Sequence, residues 1–240
     1  MSLVIELSDR AFALASDGVL LQATPSVVRV AGARSGTAGE PMLARVRLAP
    51  TEVSSEHWLQ IALGGASIPG AMLTAGAELA ARLRSTAGPA ASTVEIATPA
   101  LFDTRSLGWV LRLLRTQGLQ VGAFRDAAVI TAAALDVTGD TLVVELGLHH
   151  LAATRVGRAG AAVLRNGVRV ARQDGGMANL LQHWMALAAE AMVLRTRFDP
   201  LHDAGTEQQL FDALPAALIT AAGQGQAVVA VQVPNGKRYE

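Results

Sequence analysis

Cysteine is absent from the 240-residue chain, which excludes disulfide bonds, thiolate nucleophiles and cysteine ligands for metals. Lysine is nearly absent too, since Lys237 is the only one. The 20 basic and 20 acidic residues cancel, so no cationic surplus is left for binding nucleic acid. The start lacks the basic residues of a signal peptide, and no apolar run reaches the ~18–20 residues of a membrane span. We therefore expect a cytoplasmic protein that binds neither nucleic acid nor a membrane.

Hydrophobic residues make up 51% of the chain and charged residues 17%, as in packed globular proteins. Short apolar segments open the sequence, and Asp17-Gly18 between two of them is a strong hairpin signal. The pattern predicts these elements in the first part: strands at 3–7, 11–15, 19–22, 27–31 and 42–48, a Gly-rich loop at 32–41, a helix at 52–63 with Thr51 as N-cap, and a helix at 71–84.

The centre of the chain carries the clearest local signals. Asp103 is suited to cap a helix at 104–117, and Gly118 is suited to end it. A second, alanine-rich helix is predicted at 127–135. The remaining predicted elements are strands at 94–97, 119–123, 141–146, 152–156, 161–165 and 168–172, the last two joined by a turn at Asn166-Gly167, then helices at 178–195 and 206–222 and a strand at 227–233.

Three segments resemble the actin-like ATPase superfamily, in its 70-kDa heat-shock chaperone branch. The first is Ile5-Glu6-Leu7-Ser8 with the later Pro25-Ser26-Val27-Val28. The second is the run ATPALF, GLQV and VITAAAL between residues 97 and 135. The third is Leu142–Gly147, followed by Gly175-Gly176 before a long helix.

This resemblance implies an α/β fold of two ribonuclease-H-like lobes, each with a mixed five-stranded sheet, around an interlobe cleft. Residues 1–135 would form the first lobe, with a shortened inserted subdomain at about 32–90. Residues 136–240 would form the second lobe, which we expect to be incomplete in its upper subdomain.

The resemblance also implies a site for ATP with Mg²⁺. Glu6 and Glu145 align with the two family aspartates that position the metal ion and water. Ser8, Asp9 and Arg10 stand where the first phosphate loop has Gly-Thr-Thr, and Gly147 begins the second loop. Gly175 and Gly176 could approach a ribose or a phosphate.

The departures from the family pattern concern the chemistry. Asp9 would repel a triphosphate, and Leu148-His149-His150 stand where the second loop has Gly-Gly-Thr, so Cβ atoms replace a bare backbone that phosphate must approach. The water-positioning glutamate falls at Val129, and no lysine precedes Lys237. We therefore predict a degenerate, non-catalytic domain that uses no cofactor, has no catalytic residue and binds a protein partner in an interaction or assembly role.

Two alternatives stay open. The first is a divergent ATP-hydrolysing chaperone, with Glu6 and Glu145 as metal carboxylates and the adenosine-binding motif beyond residue 240. The second, a sugar or acetate kinase of the same superfamily, lacks a recognisable substrate aspartate.

Adjacent histidines such as His149 and His150 point to opposite faces of a strand and cannot easily share one metal ion, so we expect them to face solvent or stack on a loop. His57 and His202 lack the partners of a catalytic triad.

Overall fold

The structure is a computed structural model that describes residues 3–30, 38–64, 76–77, 80–81, 84–85, 93–171 and 175–240. It has a mixed α/β architecture. The strands are β1 Leu3–Leu7, β2 Ala11–Ser16, β3 Val19–Pro25, β4 Val28–Arg29, β5 Val53–Ser54, β6 Val94–Thr98, β7 Val121–Asp126, β8 Thr141–Leu146, β9 Leu151–Ala159, β10 Ala162–Ala171, β11 Val231–Gln232 and β12 Arg238–Tyr239. The helices are α1 Glu40–Leu43, α2 His57–Leu63, α3 Thr104–Thr116, α4 Ala127–Ala134, α5 Met177–Thr196 and α6 Ala204–Gln224.

A five-stranded mixed sheet forms the first half, in the order β3-β2-β1-β6-β7. β1, β2 and β3 are antiparallel, while β6 runs parallel to β1 and β7 parallel to β6. The predicted hairpin at Asp17-Gly18 is confirmed, since both residues adopt the positive φ of a tight turn. Side chains alternate along β1, so Ile5 and Leu7 enter the core while Glu6 is exposed. The parallel pairing brings the end of β1 beside the end of β6.

Helix α3 connects β6 to β7 and confirms the predicted caps. Asp103 and Ser106 form a reciprocal capping box, in which the Asp103 carboxylate accepts from the Ser106 amide at 2.7 Å. Val110 and Leu114 are fully buried against the first sheet. Gly118 ends the helix with φ +77°, a conformation that glycine adopts without steric cost.

The second sheet contains three antiparallel strands in the order β10-β9-β8. The expectation of a second five-stranded sheet is therefore wrong for the described residues. The segment predicted as a strand at 227–233 is regular only at β11, which pairs with β12 in a separate ribbon. Helix α4 contacts both sheets and links them.

The turn predicted at Asn166-Gly167 is also wrong. β9 continues to Ala159, so the reversal takes place at Gly160 with φ +64°, and Asn166-Gly167 forms an irregularity inside β10. Asn166 is held there because its side-chain amide lies 3.4 Å from Asp140 and packs against Gly157. The long pairing of β9 with β10 therefore determines where the chain turns, despite the local turn preference of Asn166-Gly167.

Two predictions in the first half differ from the structure. The predicted strand at 42–48 is the helix α1 followed by turns. The predicted helix at 52–63 is shorter, because Val53 and Ser54 pair with β4 and Glu56, rather than Thr51, is the N-cap of α2. The predicted helix at 71–84 and the loop at 32–41 lie largely outside the described residues.

Helices α5 and α6 pack on each other around a second core. Met185 and Met192 of α5 meet Leu210 and Leu214 of α6, and all four are buried. Asp203 caps α6 through its carboxylate, which accepts from the Gly205 amide at 2.9 Å. Within the described residues, no helix combines the length and apolarity that crossing a membrane requires.

Candidate functional site

A cleft of about 400 Å³ lies where the end of β1 meets the end of β8. Five of the predicted site residues line it together: Glu6, Ser8, Arg10, Glu145 and Gly147. The other lining residues are Leu7, Ala11, Ala13, Ala23, Pro99, Ala127, Thr131, Leu146 and His150. Residues from two distant segments of the sequence therefore line one cleft.

Asp9 lies beside this cleft rather than in it, and it is only 2% exposed. Its carboxylate accepts from the backbone amide of Leu148 at 2.8 Å and from the backbone amide of His149 at 2.8 Å. The Nδ1 atom of His150 is 2.9 Å from Oδ2 of Asp9. We call these three contacts the Asp9 latch. It joins the β1–β2 turn to the turn at 147–150.

The hydrogen bonds of the latch favour the ionised form of the Asp9 carboxylate. Burial alone would raise the pKa of Asp9, but hydrogen bonds from His150, His149 and Leu148 reverse this and bring the pKa below its ordinary value. Because an ionised carboxylate can only accept, Nδ1 of His150 must carry the proton that is shared with Asp9.

Gly147 and Gly176 are needed for the close packing of this turn. A Cβ atom on Gly147 would overlap the ring of His150 and lie 2.8 Å from Oδ1 of Asp9. A Cβ atom on Gly176 would lie 2.6 Å from Cα of His149 and would overlap the carbonyl oxygen of Leu148. Both glycines therefore serve the contact between protein segments, which accounts for them without a ligand.

The first amides of helix α5 are also engaged. The amide of Met177 donates to the carbonyl of Gly147 at 3.0 Å, and the amide of Ala178 donates to the carbonyl of Leu148 at 2.7 Å. A helix N-terminus is a common anion site because its first amides lack partners within the helix. Here the turn at 147–150 supplies those partners.

The residues present do not fit a nucleotide phosphate. The resemblance places phosphate against the second loop, and there the Leu148 and His149 amides already hold a carboxylate. Asp9 contributes negative charge at the point where a phosphate group would need positive charge or free donors. The sequence predicted repulsion by Asp9, and the structure adds that Asp9 occupies the donors themselves.

Glu145 lines the cleft from β8, where its surroundings disfavour the ionised form of its carboxyl group. Its Oε2 atom accepts from the Ala100 amide at 3.3 Å. Burial, followed by the negative charges of Asp126 and Glu6, raises the pKa of Glu145 despite that hydrogen bond and the opposing influence of His150. No group of three or more His, Cys, Asp or Glu side chains suited to a metal ion occurs among the described residues.

His149 and His150 contradict the expectation of solvent-facing or loop-stacking side chains. His150 is 2% exposed and is held by Asp9. Nε2 of His149 lies 2.8 Å from the Ser55 hydroxyl, and burial lowers the pKa of His149. No local pattern in the sequence predicted these pairings, because each partner is more than ninety positions away.

Two serine–histidine pairs occur among the described residues, yet neither has the third group of a triad there. Nδ1 of His149 is 4.0 Å from Glu56, too far for the hydrogen bond that would orient a catalytic base. The pair of Ser26 and His57 is fully buried at 3.4 Å, and burial lowers the pKa of His57 to about 3.

Comparison of the chain with models of known protein families gives no match, and comparison with curated proteins gives none either. The geometry of the cleft and the Asp9 latch is therefore the basis for a functional assignment. Of the predicted residues, the structure brings Glu6, Ser8, Arg10, Glu145 and Gly147 to the cleft. It places Asp9 and Gly176 against the turn beside the cleft, and Gly175 next to Gly176 just before α5.

Proposed function

We propose that this chain is a degenerate actin-like ATPase domain, of the heat-shock chaperone type, that acts as a non-catalytic protein-interaction or assembly module. The observation that carries this proposal is the Asp9 latch. An internal carboxylate satisfies the backbone donors that a phosphate group would use. A nucleotide would have to displace a buried, charged and triply hydrogen-bonded group before it could bind.

The sheet topology supports the proposed two-lobe origin. In the first sheet, three antiparallel strands are followed on the β1 side by two parallel strands, β6 and β7. The second sheet, β10-β9-β8, repeats the antiparallel three-stranded part. We infer that the two sheets are related lobes, with the cleft between the ends of β1 and β8 as the inherited interlobe site.

The outer face of α5 supports a role in interaction. Leu180, Trp184, Leu187 and Leu194 are each between 46% and 68% exposed. Their spacing of four, three and seven positions places them along one stripe of the helix. An exposed apolar stripe of this kind is typical of a protein-binding surface.

The alternative, a divergent ATP hydrolase, is favoured by one observation. Glu6 and Glu145 line the same cleft, as two metal-positioning carboxylates would. That function would also require the Asp9 latch to open, and it would require a source for the missing lysine.

Titration with ATP and Mg²⁺ by calorimetry, with thermal unfolding measured in parallel, separates the two functions. A ligand that binds only the folded state stabilises it by ~2.7 kcal/mol at a hundredfold excess over its Kd. We expect no heat and no shift at millimolar ATP. Binding that is lost in Glu145→Gln but kept in Glu190→Gln, an exposed control on α5, would contradict the proposal and support the hydrolase.

A further inference from the structure

The cleft presents hydrogen-bond acceptors that the described residues leave wholly or partly without donors. Glu6 makes no hydrogen bond or ion pair with any described residue, and Glu145 accepts only from the Ala100 amide. His150 also lines the cleft, and its Nε2 atom is buried without a hydrogen-bond partner in the described part of the chain. In the tautomer that donates from Nδ1 of His150 to Asp9, Nε2 is the acceptor nitrogen of the ring.

The charge of the cleft favours a cation. Glu6 and Glu145 contribute two carboxylates, and Arg10 is the one cationic side chain among the described lining residues. The charges of Asp126 and Glu6 both oppose ionisation of Glu145, so a positive group placed here would relieve repulsion that the protein now bears. A buried polar atom without a partner is costly, and a ligand that donates to Nε2 would remove that cost.

The geometry separates an organic cation from a metal ion. Among described residues, no three His, Cys, Asp or Glu side chains are close enough to hold a metal. The cleft volume of about 400 Å³ is within the range of small-molecule sites. A guanidinium group is planar and carries five N–H donors, so it can serve two carboxylates and an imidazole at once.

We propose that the cleft binds a guanidinium group, held between the carboxylates of Glu6 and Glu145 and the Nε2 atom of His150. The polarity of the inherited site is thereby reversed, from anion binding to cation binding. This inference rests on the proposed function to the extent that nucleotide does not occupy the cleft. The guanidinium group can belong to a free small molecule such as agmatine or to an arginine side chain of a protein partner.

The test uses three probes on the full chain. Agmatine represents the free cation, N-acetyl-arginine methylamide represents an arginine within a protein, and N-acetyl-citrulline methylamide is the uncharged isostere of the latter. The readout is the nitrogen resonance of His150 Nε2, observed by NMR alongside those of the other four histidines. We expect both cations to shift the His150 signal with saturation and citrulline to leave it unchanged. Tighter binding of the arginine methylamide than of agmatine would indicate a protein source, and the reverse order a small-molecule source.

Variants keep the test specific. Glu6→Gln and Glu145→Gln should each weaken binding of the cation by about tenfold or more, because a charge-assisted hydrogen bond is lost. Glu190→Gln should leave the affinity unchanged. Equal responses to arginine and citrulline, no response of His150 at tens of millimolar probe, or undiminished binding by both cleft variants would each overturn the inference. ATP binding in the calorimetric titration would instead overturn the proposed function, so the two failures are distinguishable.

Discussion

Replacing Asp9 by alanine removes the latch and tests its energetic role directly. The carboxylate accepts three hydrogen bonds at 2.8–2.9 Å from the turn at 147–150. Hydrogen bonds to a charged group contribute ~1.5–3 kcal/mol each but are not additive within one network. Removing one member of a buried charged cluster typically costs about 3–5 kcal/mol. We therefore expect Asp9→Ala to lose about 3–5 kcal/mol of unfolding free energy, or roughly 6–20 °C in Tm for a chain of this size.

Urea unfolding followed by tryptophan fluorescence measures this loss, since Trp58 is buried in the first core. The matched control is Asp140→Asn, which breaks an exposed ion pair with Arg155 and should cost less than about 1 kcal/mol. Hydrogen exchange adds a local readout, because the amides of Leu148 and His149 should be protected in the parent and should exchange faster in Asp9→Ala. Equal stability of the Asp9 and Asp140 variants, with unchanged exchange at both amides, would refute the latch.

Three further predictions follow from burial and close packing. Because the pKa of Glu145 is raised in the folded state, ionisation of this side chain destabilises the fold as pH rises. Glu145→Gln removes the ionisation, so it should raise the urea midpoint at pH 7 and not at pH 4. His57 has a pKa lowered to about 3, so folding stability should fall as pH drops from about 6.5, where the unfolded side chain takes up a proton, towards 3. His57→Asn should flatten that dependence between pH 7 and 5, and an unchanged slope would contradict the assignment. Gly147→Ala should cost about 2 kcal/mol or more by thermal unfolding, whereas Gly108→Ala, which meets open space in α3, should gain up to ~1 kcal/mol. A similar result for the two glycine variants would mean that the turn at 147–150 can relax.

The parts of the fold that the sequence predicted are those determined by local chemistry. The Asp17-Gly18 hairpin needs positive φ at both positions, and the capped helix after Asp103 needs only a nearby carboxylate. Asn166-Gly167 carried an equally strong local signal, yet the longer β9–β10 pairing placed its turn at Gly160. Propensity is a weak guide when tertiary pairing competes with it.

Five residues that the resemblance singled out line one cleft, but the contacts beside that cleft were not predicted. Glu6 and Glu145 do share a cleft, as the resemblance implied. The pairings of Asp9 with His150 and of Ser55 with His149 depend on how the β1–β2 turn and α2 meet the second sheet. A single sequence contains no periodicity or spacing that encodes such long-range contacts. These residues could therefore be recognised as departures from the family pattern, but their pairing could not be predicted.

The Asp9 latch also bears on the order of events in folding. Asp9 and Leu148 are 139 positions apart, whereas the hairpins on either side close within a few residues. Closing a loop of that length costs chain entropy before its contacts form, so we expect the latch to form after both sheets have assembled. Contacts made after the transition state affect unfolding rather than folding. On this reasoning the latch slows unfolding. Losing it should shorten the lifetime of the native state and leave the refolding rate almost unchanged.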